Sequence, residues 1–381
     1  MVRPELLKFQ KEMEEKFGKN VVRPASELES LLEVRIPTGS ISLDIATGGG
    51  LPIGRFIQIS GAYSTGKSSL CYHIIKNAQQ MTKEVPILKK KGKEIVTEYQ
   101  ESPMTVMLIQ SEANAWTTEY GQYLGIDVDE LLFSPCAGME EALEIAHKAQ
   151  STGLVDLIII DSLEALIPMK EYISEMDESV QMGIKPRLFG EYFRKFQATN
   201  NRLLREDKLP CTIIGVNQLR EKIGAYGDNN YTPGGRAIGF TASLDIRLTK
   251  GDWISIGSGV NKQIIGQQIK FKVHKNKVGV PQKTGMFDFY FDDGGTVPRG
   301  FIDNFKEVII EGIAYDVIQK AGAWISYKDV KVQGADNFIE ILREREDLFE
   351  EIKEKLMEVA LNSDNTVEDS EEDYEEGYDD E

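Results

Sequence analysis

The sequence predicts an α/β fold: a mainly parallel sheet flanked by helices, with a short helix ahead of it and a small α+β domain after it. Two patterns carry that expectation. Six short apolar runs, FIQIS (56–60), TVMLI (105–109), LIIID (157–161), TIIGV (212–216), LDIRL (244–248) and IKFKV (269–273), have the length and β-branched content of buried strands. Between them stand segments of helical periodicity, SSLCYHIIKNAQQ and MEEALEIAHKAQ, and strand–helix alternation of this kind builds parallel sheets. A length of 381 residues leaves room for more than one folded unit.

Ahead of the alternation, Leu6, Leu7, Phe9, Met13 and Phe17 recur at near-helical spacing and Gly18 ends the pattern, so residues 1–36 read as a helix and a connector. This stretch is charged throughout and has neither an apolar run nor a small-residue cleavage site, which argues against a signal peptide and for a cytoplasmic location. No run of about 18 apolar residues offers a membrane span. Residues 37–296 form the expected core, interrupted at 82–102 by the Lys-rich TKEVPILKKKGKEIVTEYQES, a surface insertion for which a hairpin is the modest expectation. Helical stretches near 303–321 and 335–361 around KAGAWISY define a second domain over 297–362.

A formal charge of −18 looks wrong for a partner of nucleic acid, whose phosphates need Lys and Arg. The distribution resolves the conflict: the 18 residues from Asp364 to Glu381 hold eleven Asp or Glu and no Lys or Arg, leaving −7 on the rest. The tail, 363–381, is too poor in aliphatics to offset its ordering entropy and is expected to be disordered. Its uniform sign suits competition with phosphate for a basic groove, or the binding of partner proteins. Cys71, Cys136 and Cys211 form no CxxC pair, and His73, His147 and His274 no ligand-spaced cluster, so no structural zinc site or disulfide framework is expected.

The strongest chemical signal is Gly61-Ala62-Tyr63-Ser64-Thr65-Gly66-Lys67-Ser68, which fits GxxxxGK[ST] between the strand FIQIS and a helix opening at Ser69. Backbone N–H groups of such a loop and the following helix N-terminus cradle phosphate; Lys67 neutralises the β- and γ-oxygens of ATP and Ser68 ligates Mg²⁺. Asp161 ends an apolar strand, the arrangement that holds the water shell of the same Mg²⁺. Glu112 follows the strand TVMLIQS, at the sheet edge where ligands bind. It has the chemistry to polarise an attacking water, and from residue type alone a plain surface glutamate fits as well.

The phrase IPTGSISLDIATGGGLPIGRFIQISGAYSTGKSSL resembles the opening of the RecA recombinases, and LGIDVDELLFSPCAGMEEALEIA, TGLVDLIIIDSLEALIP, VNQLREKIGAYG, TPGGRAIGF, VHKNKVGVP and KAGAWISYK resemble later segments in the same order. The resemblance spans residues 5 to 361, whereas an unrelated ATPase would share only the phosphate loop and the strand-end aspartate. It implies a RecA-type ATPase core that forms helical filaments on single-stranded DNA and promotes pairing and strand exchange with homologous duplex DNA in recombination and repair. By the same resemblance Glu112 activates the attacking water, Tyr120 stacks near the adenine, and Gln218 senses the γ-phosphate and couples it to a mobile loop. Lys275 and Lys277 reach the ATP of the neighbouring subunit, and the N-terminal helix docks on that neighbour.

Two DNA loops are implied, 169–183 and 219–235. Met182, Arg187, Gly190 and Arg194 match DNA-lining positions of the first region, and Arg220, Ile223, Tyr226, Gly234 and Gly235 those of the second. Single-strand-binding and loader proteins are further partners that the family implies. The chain departs from the family's pattern in one extra residue between Glu112 and Tyr120, a second loop one residue shorter near GAYG, and the Lys-rich insertion; these point to a divergent bacterial or bacteriophage member. Two rival readings are weaker. A hexameric helicase on the same core would lack the docking helix and the KAGAWISY domain, and a nonenzymatic mediator predicts the loss of Lys67 or Glu112, both of which are present.

Overall fold

The computed structural model describes residues 4–24, 33–91, 94–112, 116–175, 183–221, 230–231 and 233–365. The chain divides into two compact units, 1–303 and 304–381.

The first unit is built on an eight-stranded sheet. Its strands are β1 (Phe56–Gly61), β2 (Val106–Gln110), β3 (Leu132–Pro135), β4 (Leu157–Asp161), β5 (Thr212–Gln218), β6 (Leu244–Ile256), β7 (Gln263–Asn276) and β8 (Thr284–Tyr290). They lie in the order β8-β7-β6-β1-β5-β4-β2-β3. All neighbours from β6 to β3 run parallel, and β7 and β8 close one edge antiparallel. Successive strand residues face opposite sides of a sheet, and here the alternation feeds two apolar clusters. Ile57, Ile59, Leu157, Ile159 and Ile214 pack on one side; Phe56, Ile158, Ile160 and Ile213 pack on the other. Burial on both faces explains why the strands read as continuous apolar runs.

Helix α2 (Lys67–Gln80) covers the first side through Leu70, Ile74 and Ile75. Helices α3 (Met139–Thr152) and α4 (Ile184–Arg205) cover the second through Met139, Ala142, Phe189, Phe193 and Phe196. Cys71, Cys136 and Cys211 are free thiols buried in these clusters. Among the described residues no helix is long and apolar enough to cross a membrane.

The N-terminal helix, α1 (Pro4–Phe17), buries none of its residues in its own chain and leaves Leu6, Leu7, Phe9 and Phe17 exposed. The connector behind it is anchored: Arg23 donates to the Leu204 carbonyl at 2.6 Å and to Asp207 at 2.7 Å, and Asn20 donates to the Arg205 carbonyl at 2.9 Å. The Lys-rich insertion forms an antiparallel ribbon, Thr82–Lys91 with Glu94–Pro103, that pairs with no other described strand. At its base Lys83 meets the buried Asp156 at 2.5 Å, and Asp156 also accepts from the Thr105 N–H at 2.7 Å.

The second unit holds a helix (Asn304–Ala314), a three-stranded antiparallel sheet (Gln319–Ala321, Trp324–Tyr327, Val330–Gln333) and two helices (Ala335–Glu344, Glu346–Asn365). Val308, Ile309, Ile325, Phe338, Leu342, Ile352 and Leu356 are its buried centre.

Candidate active site

The phosphate loop leaves β1 at Gly61, in the middle of the sheet. A side chain there would press on the Thr65 hydroxyl at 2.5 Å and the Leu248 carbonyl at 2.7 Å, so only glycine lets the chain turn. Gly66 follows at φ +75°, the left-handed region that favours glycine, and opens α2 at Lys67. The Thr65 hydroxyl closes the loop on the Ala62 carbonyl at 3.0 Å. Lys67 donates from Nζ to the Gly61 and Ala62 carbonyls at 3.0 and 2.8 Å. Its ammonium is held below the usual lysine range by burial, against the opposing pull of Asp161 and Glu112.

Parallel pairing brings the other strand ends to this loop. Gly61 stands in register with Gln218 at the end of β5, and Asp161 ends β4 beside Gln110 of β2. The Ser68 hydroxyl donates to Asp161 Oδ2 at 2.7 Å. Burial pushes the Asp161 carboxyl up; the Ser68 hydrogen bond pulls it down, the Glu112 charge adds to the rise, and Lys67 opposes it. Glu112 Oε1 accepts from the Ser162 hydroxyl at 3.1 Å. Tyr63, Ser64, Thr65, Gly66, Lys67, Ser68, Ser69, Glu112, Asp161, Ser162 and Gln218 line one cavity of about 230 Å³. A polyphosphate fits its chemistry: one ammonium, a helix N-terminus, a hydroxyl–carboxylate pair for a hard cation, and a second carboxylate set apart.

Tyr120 is not part of that lining. Its ring packs against Tyr72 and Tyr123 with centroids 6.1 and 6.4 Å away, and burial raises its hydroxyl pKa.

Lys275 and Lys277 are not in the cavity either, and the register explains why. Asn276 pairs with Leu244, Leu244 pairs with Ile57, and Ile57 precedes Gly61 by four residues along β1. At about 3.3 Å per residue Lys275, opposite Asp245 and so level with Gln58, sits about 10 Å behind Gly61 and Lys277 about 16 Å behind it, toward the end of the sheet opposite their own phosphate loop. There Lys275 donates to the Gly239 carbonyl at 2.7 Å, and Lys277 to the Phe240 carbonyl at 3.3 Å, at the end of the short helix Arg236–Thr241. Burial first, and then the Lys277 charge, lowers the Lys275 pKa. Phe240 beside them is 70% exposed.

The DNA-lining candidates form a second group. Arg187, Gly190 and Arg194 fall on one face of α4 at i, i+3 and i+7, with both arginines exposed. Gly234 and Gly235 lie against the same helix: side chains there would meet Phe189 at 3.1 Å and Pro186 at 2.8 Å, and both have positive φ. Arg220 pairs through its backbone with Tyr231. Met182, Ile223 and Tyr226 lie outside the described residues, as do the rest of 176–182, 222–229 and 232 in the two loops and residues 366–381.

Sequence reasoning missed Ser111, Ser162 and Asn217. Asn217, fully buried, donates to the Pro233 carbonyl at 3.0 Å and so ties the end of β5 to the far end of the second loop. Ser111 hydrogen-bonds the backbone of Ser162, which in turn reaches Glu112. Their only trace in the sequence was adjacency to Glu112, Asp161 and Gln218.

Comparison with known proteins agrees with this geometry. The family model for the RecA N-terminal domain matches residues 5–296, and that for the RecA C-terminal domain matches residues 306–361. Protein RecA of Caldanaerobacter subterraneus subsp. tengcongensis is 35% identical over 350 residues, covering 91% of each chain. Protein RecA of Rickettsia massiliae is 36% identical over 373 residues, covering 94% of this chain and 95% of its own. Protein RecA of Lactococcus lactis subsp. cremoris is 35% identical over 364 residues, 94% of this chain and 85% of its own. With a phosphate loop, strand-end carboxylate and apposed glutamate on a parallel sheet, and both domain models matched in order, the chain belongs to the RecA family of recombinases, P-loop ATPases that depend on DNA and carry out strand exchange.

Proposed function

We propose that this chain binds ATP between neighbouring protomers of a filament on single-stranded DNA, and that hydrolysis by a Glu112-activated water lets the filament turn over during homologous pairing and strand exchange. The observation that carries the reading is the division of the charged groups. Lys67, Ser68, Asp161, Glu112 and Gln218 surround one cavity, whereas Lys275 and Lys277 lie toward the far end of the same sheet. A cation pair that cannot reach its own cavity is available to a neighbour's, where it acts as an arginine finger does and makes hydrolysis depend on assembly. The exposed apolar residues of α1 are the natural contact with that neighbour.

In the assembled site the phosphate loop and Lys67 hold the β- and γ-phosphates. Glu112 takes the proton of a water whose oxygen attacks the γ-phosphorus as the bond to the bridging oxygen breaks, releasing ADP and phosphate. Ser68 Oγ and Asp161 form an oxygen pair that would hold Mg²⁺, Asp161 through water, and the ion would supply neutralisation of phosphate charge. Gln218, in register with the loop, biases the second DNA loop according to whether a γ-phosphate is present. Tyr120 is assigned to the adenine side. Arg187 and Arg194, with Arg220, supply phosphate contacts; Gly190, Gly234 and Gly235 allow close backbone approach, Met182 lines the DNA, and Ile223 and Tyr226 wedge or stack between bases.

The division of labour follows residues 1–36 for docking, 37–296 for catalysis and DNA, 297–362 as an accessory domain and 363–381 as an acidic tail. A cytoplasmic location, and encounters with single-strand-binding and loader proteins, complete the proposal. Electron microscopy with ATP and single-stranded DNA tests it. Helical filaments are expected, and Lys67→Ala is expected to abolish hydrolysis; a protein that stays monomeric on DNA contradicts the reading.

A further inference from the structure

Beside the reacting cavity, the ends of β2 and β4 are tied by more hydrogen bonds than the sheet ladder needs. The ladder ends at Gln110 opposite Asp161. Beyond it the Ser111 N–H donates to the Asp161 carbonyl at 2.8 Å, joined there by Gln110 Nε2 at 3.0 Å. The Ser111 hydroxyl then accepts from the Ser162 N–H at 2.7 Å and donates to the Ser162 carbonyl at 2.8 Å. Both backbone groups of Ser162 are thus satisfied by one side chain. Its own hydroxyl oxygen accepts from the Ala165 N–H at 3.4 Å, and its single proton goes to Glu112 Oε1 at 3.1 Å. Ser162 is 1% exposed, so this hydroxyl has little water to turn to.

A glutamate side chain has three rotatable bonds, and freezing them costs free energy that a lone surface carboxylate does not recover. General-base catalysis needs the carboxylate within hydrogen-bond reach of one particular water. We propose that Ser162 is the positioning residue for Glu112: it occupies Oε1 and so leaves Oε2 to take the proton of the attacking water. Ser111 sets the orientation of Ser162 by holding its backbone. The inference rests on Glu112 being the base, and the test separates the two.

Steady-state kinetics of DNA-dependent ATP hydrolysis decide it. Ser162→Ala lowers kcat about tenfold, the scale of a misplaced catalytic group, while the KM for ATP and filament formation with a non-hydrolysable ATP analogue stay at wild-type values. Ser162→Cys, which keeps the volume but donates poorly, gives the same split without leaving a void. In a Glu112→Gln background Ser162→Ala adds no further loss, because the hydroxyl acts through the carboxylate. Wild-type kcat in both Ser162 variants overturns the proposal, and so does a full further tenfold loss on top of Glu112→Gln. Wild-type turnover by Glu112→Gln alone shows instead that the base has been misassigned.

Discussion

His73 shows how one buried side chain sets a pH limit on the fold that carries the phosphate loop. It lies on α2, and its Nε2–H donates to the Gly300 carbonyl at 2.8 Å. Burial pushes its pKa down to about 4, partly opposed by that hydrogen bond. An unfolded histidine titrates near 6.5, so between those two values only the unfolded chain binds the proton. The contribution to stability is complete above about pH 6.5 and is lost as pH falls toward about 4. Urea titrations at about pH 7.5 and pH 5 should differ by roughly 2 kcal/mol through this residue. His73→Gln should remove that difference, and an unchanged pH slope in the variant contradicts the assignment. At this scale the sequence was partly legible. The phosphate loop could be named because a contiguous motif carries its chemistry, and Asp161 because it ends an apolar run. Ser162 and Asn217 act through hydrogen bonds to groups distant in sequence, Glu112 and Pro233, and no local pattern announces such a reach.

Among the elements, the ribbon at 82–103 is held to the sheet by a charge pair in which Asp156 is buried and Lys83 half-buried. Removing one partner of such a pair leaves the other desolvated and uncompensated. Lys83→Ala should therefore cost about 3 kcal/mol of unfolding free energy in a urea titration. Adding Asp156→Asn should recover part of that cost; a Lys83→Ala protein as stable as wild type contradicts the account. A hairpin was the modest expectation for the Lys-rich insertion between a helix and a strand, whereas the full lengths of β6 and β7 were not foreseen. Only Leu244–Leu248 of β6 pairs with the buried β1, and that is the part the apolar pattern marked. The remainder pairs with β7 alone and carries TKGDWISI, which exposes polar groups and gives no buried-strand signal. The four-residue β3 lies at the sheet edge with Leu132 and Phe133 exposed, and its apolar residues are too few before Ser134 and Pro135 to mark a strand.

For the whole molecule, the central claim is that one protomer's cavity is completed by another protomer's lysines. The register sets Lys275 and Lys277 toward the sheet end opposite their own phosphate loop, so on the proposed function a solitary chain would hold an incomplete set of charges. Mixing two inactive variants on single-stranded DNA tests this directly. Glu112→Gln protomers keep the lysine pair, and Lys275→Ala/Lys277→Ala protomers keep the glutamate. Random assembly pairs an intact cavity with intact lysines at about one junction in four, so the equimolar mixture should regain roughly a quarter of wild-type ATP hydrolysis. A mixture no faster than the mean of the two variants assayed separately contradicts catalysis across the subunit boundary.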